Sequence, residues 1–362
     1  MSRPLIVVCD WLPPAFGAVG QYELLRAREA AEAGGRVHLI GLGEKPGVEE
    51  EAFADGRLTI TRLAAKRPNR ASLLTRALWA IRTNFRLLGQ TARTARTYPD
   101  CEIKVTGSPP FISYMILFWR LLNPRHTITY RITDFYPETA FAAGKARFLR
   151  PMTPLIHALR RRADRIEALS WCQKARLIES GVPESNIEIV RDTSPVRLEP
   201  GIAPAPRPFA DDACVLLYSG NLGFAHDWET FAEAYRIHVQ TGPNRVRLWL
   251  NATGVGVERL RAYCETHGLP IHISGPVPLD ELPAVLMAAD AHLILLGDPF
   301  WGYVFPSKTY ACLDSHRPCL FVGPAESDVH ALLMAQPDTN HSVRNGDIDG
   351  AVAALNRLSD RR

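Results

Sequence analysis

The stretch Phe305–Gly323, FPSKTYACLDSHRPCLFVG, sets Ser307, Lys308 and Thr309 directly behind a proline, after the apolar run Ala291–Leu296. Pro306 suits the first turn of a helix, where a missing N–H costs nothing. A helix start is the positive end of the peptide dipole, so a lysine there is disfavoured unless an anion is present. The spacing predicts an anion pocket gripped by Ser307, Lys308 and backbone amides. A solvent-facing lysine on a plain helix is the alternative.

Three more loops carry chemistry-bearing residues. PPAFGAVGQYE follows the first apolar strand, and Gly17 and Gly20 allow a backbone to approach a ligand at a helix start. A tight turn is the plainer reading. YSGNLGFAHDWETF brings Gly220, Asn221 and Gly223 between a strand and a helix that Asp227 would cap. That turn suits a phosphate or a sugar, or is simply a strand–turn–helix junction. YRITDFYPE places Arg131 and Asp134 at a strand end, as cleft residues or as a surface salt bridge beside a turn. The glycine spacing is not GxGxxG and no acidic residue closes the second strand, which disfavours a nicotinamide oxidoreductase. No metal-ligand cluster or DxD motif in a suitable loop is seen, so no metal or other cofactor is expected.

These loops need a scaffold. Short apolar strands alternate with helices of ten or more residues, the signature of βαβ units and a parallel sheet. The pattern runs from strand Leu5–Cys9 to strand Ile187–Val190 and includes helices Gln21–Ala33, Ser72–Thr97 and Pro110–Leu122. It pauses in the proline-rich stretch RDTSPVRLEPGIAPAPRPFADDA. It restarts with strand Val215–Ser219 and continues through Val246–Asn251, Ile271–Ser274, Ala291–Leu296 and Cys319–Val322. The expected architecture is α/β, with two tandem Rossmann-like, doubly wound domains. The first covers residues 1–195, a linker 196–213, and the second 214–362. Ligands of such sheets bind beyond the carboxyl ends of the strands, so an interdomain cleft is the expected site.

The composition fits a folded soluble protein, with 46% hydrophobic and 22% charged residues and a formal net charge of +4. Seven scattered cysteines without CxxC spacing argue against a disulfide framework or a structural zinc, and point to a reducing cytoplasm. No apolar run is long enough for a signal peptide or a transmembrane helix. Between Asp55 and Asp100 there is no acidic residue but ten arginines and lysines. On the helix over 72–97, Leu74, Leu78, Ile81, Phe85 and Leu88 form a stripe with Arg82, Arg86, Arg93 and Arg96 beside it. Such a helix can lie on an anionic bilayer. Alternatively its stripe packs on the first sheet and the arginines are solvated. No nucleic-acid reader motif accompanies the charge, so nucleic acid is not the expected partner.

In order and spacing, WLPPAFGAVGQYE, DFYPE, RRADRIEALSWCQKARLIESGVPESNIEIV, YSGNLGFAHDWETF, ISGPVPLDELPAVLMAADAHLILL and PSKTYACLDSHRPCLFVG cover most of the chain. Together they resemble the GT-B glycosyltransferases, in particular the retaining family 4 enzymes that use nucleotide-activated sugars. The resemblance implies that Gly17 and Gly20 lie near a donor diphosphate, and that Gly220, Asn221 and Gly223 line the donor site. It implies that Gly275 and Pro276 touch the nucleobase, and that Ser307, Lys308 and Thr309 meet the diphosphate. Asp134 would stand near the sugar and the acceptor. Two departures stand out. Tyr303 and Ala311 occupy the places of two family glutamates, and Phe224 and His226 those of a basic pair.

The expected function is metal-independent, retaining transfer from a nucleotide-diphosphate sugar to a lipid-linked or polysaccharide acceptor, in cell-envelope or exopolysaccharide synthesis. Lys308 and Asp134 are the expected catalytic residues. The expected location is cytoplasmic, peripheral on the inner face of the membrane. The alternatives are a catalytically weak partner of another transferase and a nucleotide-sugar epimerase.

Overall fold

The computed structural model describes residues 3–15, 18–66, 73–194, 196–209 and 212–360. The side chains of residues 18, 73, 74, 76 and 77 are not among those described. Gly17, Arg67, Arg70 and the side chains of Leu74 and Arg76 therefore lie outside the description. The chain divides into two compact units, Met1–Arg191 and Asp192–Arg362.

The first unit opens with β1 (Leu5–Trp11), α1 (Ala18–Glu32), β2 (Arg36–Gly43), β3 (Gly47–Ala52) and β4 (Arg57–Ala64). Then follow α2 (Leu73–Thr97), β5 (Glu102–Thr106), α3 (Ile112–Leu122) and β6 (Thr127–Ile132). A short α4 (Glu138–Ala142) and a 3-10 turn (Arg147–Met152) lead into α5 (Thr153–Arg160). β7 (Arg165–Ala168), α6 (Trp171–Glu179) and β8 (Ile187–Ile189) close the unit. The eight strands lie in the order β3-β4-β2-β1-β5-β6-β7-β8, all parallel except the edge pair β3–β4. β1 is central and apolar because helices cover both faces of a parallel sheet. The order reverses between β1 and β5, so the crevice of this sheet opens at their carboxyl ends.

Beneath that sheet edge lies a buried ion network. Arg131 Nε stands 3.2 Å from Glu23 Oε1, and its Nη1 donates to Glu167 Oε2 at 3.0 Å. Lys104 Nζ meets the other Glu167 oxygen at 2.7 Å. Arg131 is 0% exposed, so it is neither a cleft residue nor half of a surface salt bridge. A strand end cannot reveal this from sequence, because its partners come from α1 and β7. Removing one partner of a buried network strands the other charges. Arg131→Met is expected to cost about 3–5 kcal/mol in urea unfolding.

The second unit contains β9 (Cys214–Asn221), α7 (Glu229–Gln240), β10 (Val246–Thr253), α8 (Val255–His267), β11 (Ile271–Ser274) and α9 (Leu282–Ala288). It continues with β12 (Ala291–Leu295), α10 (Lys308–Asp314), β13 (Cys319–Val322), α11 (Asp328–Met334), β14 (His341–Val343) and α12 (Ile348–Asp360). The six strands are parallel in the order β11-β10-β9-β12-β13-β14, with the reversal between β9 and β12. The proline-rich stretch packs on this unit. Val196, Leu198, Ala205 and Phe209 join the core of Val215, Leu217 and Trp249, and Ala205 N–H donates to Ala284 O.

Local signals act as the residues require. Ser170 and Ser327 cap α6 and α11 by accepting from Gln173 and His330 amides. Asp227 Oδ1 accepts from the Glu229 and Thr230 amides at 3.1 and 3.3 Å at the start of α7. Strands β3 and β14, the helix α4 and the 3-10 turn before α5 are additions to the sequence-based expectation. β3 reads GVEEEA, a charged edge strand without apolar alternation, and β14 has only three residues.

Candidate functional site

In the second unit, the carboxyl ends of three neighbouring strands, β11, β10 and β9, carry one polar line. Asn251 at the end of β10 donates from Nδ2 to Ser274 Oγ at 3.1 Å and to Gly275 O at 2.6 Å. Trp249 Nε1 donates to the same serine at 3.0 Å, and Ser219 Oγ on β9 to Asn251 Oδ1 at 3.3 Å. Gly275 and Pro276 continue from β11 as an exposed loop. Asn251, Ser274, Trp249 and Ser219 are the members that motif reading missed. Their signal was only their place at strand ends.

The line ends at the switch point, on Lys308. The residue is half-buried, but its Nζ is enclosed and has no hydrogen-bond partner among the described residues. It stands 3.1 Å from the centroid of the Tyr218 ring, where the π face offers it partial stabilisation. Gly220, at φ 119°, takes a backbone conformation closed to most side chains, and a Cβ there would lie 3.7 Å from Lys308 Cε. Burial drives the Lys308 pKa down to about 7. The ammonium is thus held without the carboxylate that usually accompanies a buried lysine.

His226 fills the neighbouring position. Its Nδ1 accepts from the Gly223 amide at 3.0 Å, which leaves the ring proton on Nε2. Burial, then the Lys308 charge, lower its pKa to about 3, so the ring is neutral at pH 7. Beside it opens a pocket of about 270 Å3, lined among others by Phe224, Trp228, Arg259 and Phe300. Asn221 is exposed, and its carbonyl accepts from Tyr218 Oη at 3.0 Å.

Two of the three residues behind Pro306 are differently employed. Thr309 is fully buried, and both its amide and its hydroxyl donate to Pro306 O, at 3.0 and 2.7 Å. The Ser307 side chain does not cap α10. Ala311 is buried in the core beside Val215 and Leu217, and Tyr303 is half-buried. Of the three residues behind Pro306, Lys308 therefore carries the charge at this edge.

In the first unit the switch point holds acids. Ser108 Oγ donates to Asp10 Oδ2 at 2.9 Å across the ends of β1 and β5. Asp10 Oδ1 is buried without a partner among the described residues, and burial raises the pKa of this carboxyl. Asp134, after β6, keeps accessible surface, yet surrounding protein atoms and then the Asp10 charge lift its pKa to about 6. Asp10 belongs to this pair and was read only as the end of a strand. Gly20 has a packing role: a Cβ would lie 1.9 Å from Trp11 O, so glycine lets α1 start against β1. Glu138, four residues on from Asp134, opens α4. Burial alone would raise its pKa, but hydrogen bonds from His157 and Arg160 pull it to about 2. Among the described residues, no group of three or more His, Cys, Asp or Glu is arranged to hold a metal.

No family model and no curated protein sequence matches the chain. Solved structures do. A UDP-forming trehalose-phosphate synthase from Burkholderia vietnamiensis aligns over 99% of this chain and 92% of its own, with TM-score 0.65 and 13% identity. HepE from Anabaena, solved with UDP and glucose, aligns over 98% and 89%, with TM-score 0.65 and 12% identity. A sucrose-phosphate synthase from Thermosynechococcus elongatus aligns over 99% and 90%, with TM-score 0.65 and 13% identity. The fold is GT-B. At such identity the likeness speaks for architecture, and residue roles must be argued from the site itself.

Proposed function

We propose that the protein is a glycosyltransferase that uses a nucleotide-diphosphate sugar. The observation that carries this reading is Lys308: an enclosed, unpaired ammonium at the switch point of a parallel sheet, where ligands of doubly wound folds bind. A buried cation without a counter-charge is costly, and an anionic ligand removes that cost. A leaving diphosphate is such an anion, and stabilising it is the main catalytic need of sugar–phosphate bond cleavage. Solved GT-B structures with UDP and with UDP and glucose support a nucleoside diphosphate as the ligand.

The finer reading follows from the same groups. Asn251, Ser274 and Gly275 take the nucleoside end, while Gly220, Asn221 and Gly223 border the phosphates. Lys308 neutralises the leaving oxygen without a metal. The acceptor hydroxyl attacks the sugar carbon as the carbon–phosphate oxygen bond breaks, and its proton passes to the departing diphosphate. Attack from the face of the leaving group retains configuration, as in the family 4 enzymes. Asp134 serves the acceptor. The acceptor is a lipid-linked or polysaccharide glycan of cell-envelope or exopolysaccharide synthesis, and the basic helix α2 supports its presentation at an anionic membrane. The enzyme would then work as a peripheral protein on the cytoplasmic face.

Nucleotide release from a panel of nucleotide sugars, with membrane extract as acceptor, tests the reading. Acceptor-dependent release from one donor supports it. Thermal stabilisation by a donor without release marks a catalytically weak binding protein, and acceptor-independent release marks an epimerase. The pH dependence of binding tests Lys308 directly. Its free-state pKa is about 7, and a bound diphosphate keeps it protonated. Donor affinity should weaken by about tenfold per pH unit above neutrality, read by titration calorimetry.

A further inference from the structure

α2 is built with its polarity reversed. It turns Thr83, Asn84 and Thr91 inward, at 3, 2 and 0% exposure, together with Leu87 and Ala95. It leaves Leu78, Ile81 and Phe85 outside, at 59, 53 and 61% exposure. Two of these inward polar side chains are hydrogen-bonded in place. Asn84 Nδ2 donates to Pro110 O at 2.7 Å, and Thr91 Oγ1 to Leu87 O at 2.8 Å. Trp79 stacks on Trp11 of β1 with centroids 6.4 Å apart, which fixes the helix rotation. Leu78, Ile81 and Phe85 of the apolar stripe seen in the sequence thus face away from the sheet.

The same pattern continues on the neighbouring elements. α3 packs between α2 and α5 and exposes Phe118, Leu121 and Leu122. The 3-10 turn and α5 expose Phe148, at 81%, with Met152 and Leu155. Single exposed apolar residues are ordinary, whereas a set on adjoining elements marks an interaction surface. The charge is equally one-sided. From Gly56 to Ala163 there are twenty lysines and arginines against four aspartates and glutamates. Exposed cations accompany these elements: Arg82 and Arg93 on α2, Arg125 just after α3, Arg147 and Arg150 around Phe148, and Arg161 and Arg162 after α5. Cations spread along the whole layer match a planar anionic surface. A bounded protein interface would instead gather its apolar residues within a polar rim.

We propose that α2, α3 and the segment from Arg147 to Arg160 form one face that docks on an anionic lipid bilayer, with the exposed apolar side chains inserted among the lipids. A face of this kind lies in the interface rather than spanning it, and no described helix is long and apolar enough to cross a membrane. The proposal deepens the transferase reading, because the loop bearing Asp134 runs through α4 directly into this face. Its test does not depend on turnover.

The full chain is floated with phosphatidylcholine vesicles, with and without phosphatidylglycerol, at low and high salt. It should rise with the anionic vesicles at low salt and less so at high salt. The pairs Phe118→Ser with Leu122→Ser, and Arg82→Glu with Arg93→Glu, should each weaken binding by about tenfold or more. Thermal stabilisation by the donor should stay unchanged in both. The proposal is overturned if the protein ignores anionic vesicles at low salt. It is equally overturned if the wild type sediments as a dimer that the Phe118/Leu122 pair converts to monomer, since a second copy would then be the occupant.

Discussion

A Lys308→Ala variant is expected to fold and to lose about 10²–10³ of the wild-type transfer rate, the usual cost of removing one preorganised charge stabiliser. The expectation rests on the immediate neighbours of Lys308 among the described residues. Thr309 is tied to Pro306 O, and His226 is neutral with its Nδ1 occupied. Lys308 is also held at a cost, and this gives an independent readout. Its pKa is about 7 in the folded protein against an ordinary 10.5. Between those values the unfolded chain binds a proton that the folded chain lacks, so this group makes stability rise with pH from about 7 to 10.5. Below pH 7 both states are protonated and the full penalty of enclosing the charge remains. Lys308→Met keeps the stem and removes the charge. It should therefore be more stable than wild type at pH 6, by on the order of 2 kcal/mol, with the difference shrinking towards pH 10. Loss of turnover together with a gain of stability is the signature of a residue kept for function. Full turnover in Lys308→Ala would remove the lysine from the mechanism.

Much of this was legible in the chain. The strand–helix alternation and the capping aspartate reflect local periodicity and local hydrogen bonding. Both survive in a sequence window, so the doubly wound architecture could be read. Lys308 could be read because a cation behind Pro306 at a helix start is a local contradiction. Its surroundings could not be. The Tyr218 ring and the Gly220 backbone come from a strand far away in sequence, and only the sheet order brings them to the lysine. Asp10 was invisible for a related reason. One aspartate at a strand end carries no signal until the cross-sheet register sets it beside Ser108. Arg131 is the converse case, a polar residue at a strand end whose partners make it structural. For α2, periodicity identifies the stripe but not the side on which the sheet lies. That is decided by Trp79 against Trp11 and Asn84 against Pro110, contacts between distant segments.

Asp134→Asn should reduce transfer by about 10²-fold while leaving donor binding intact, because it keeps the shape of the side chain and removes its charge. On the proposed reading the carboxylate that matters is the ionised one. It accepts a hydrogen bond from a second hydroxyl of the acceptor and so holds the attacking hydroxyl, whose own proton goes to the diphosphate, against the donor sugar. An amide oxygen can accept the same bond but does this weakly. Surrounding protein atoms and the Asp10 charge lift the Asp134 pKa to about 6. Wild-type turnover should therefore rise with pH through a limb centred near 6, and that limb should vanish in Asp134→Asn. Asp10→Asn sharpens the test. Replacing the like charge with a neutral amide removes the second cause of the shift and leaves burial, the larger one, so the acid limb should move part of the way to lower pH while the maximal rate is largely kept. Asp10 also accepts from Ser108, and the asparagine carbonyl can retain that bond. A flat profile in the wild type, or an unshifted limb in Asp10→Asn, would place the titrating group elsewhere. An unchanged rate in Asp134→Asn would remove this carboxylate from the chemistry altogether.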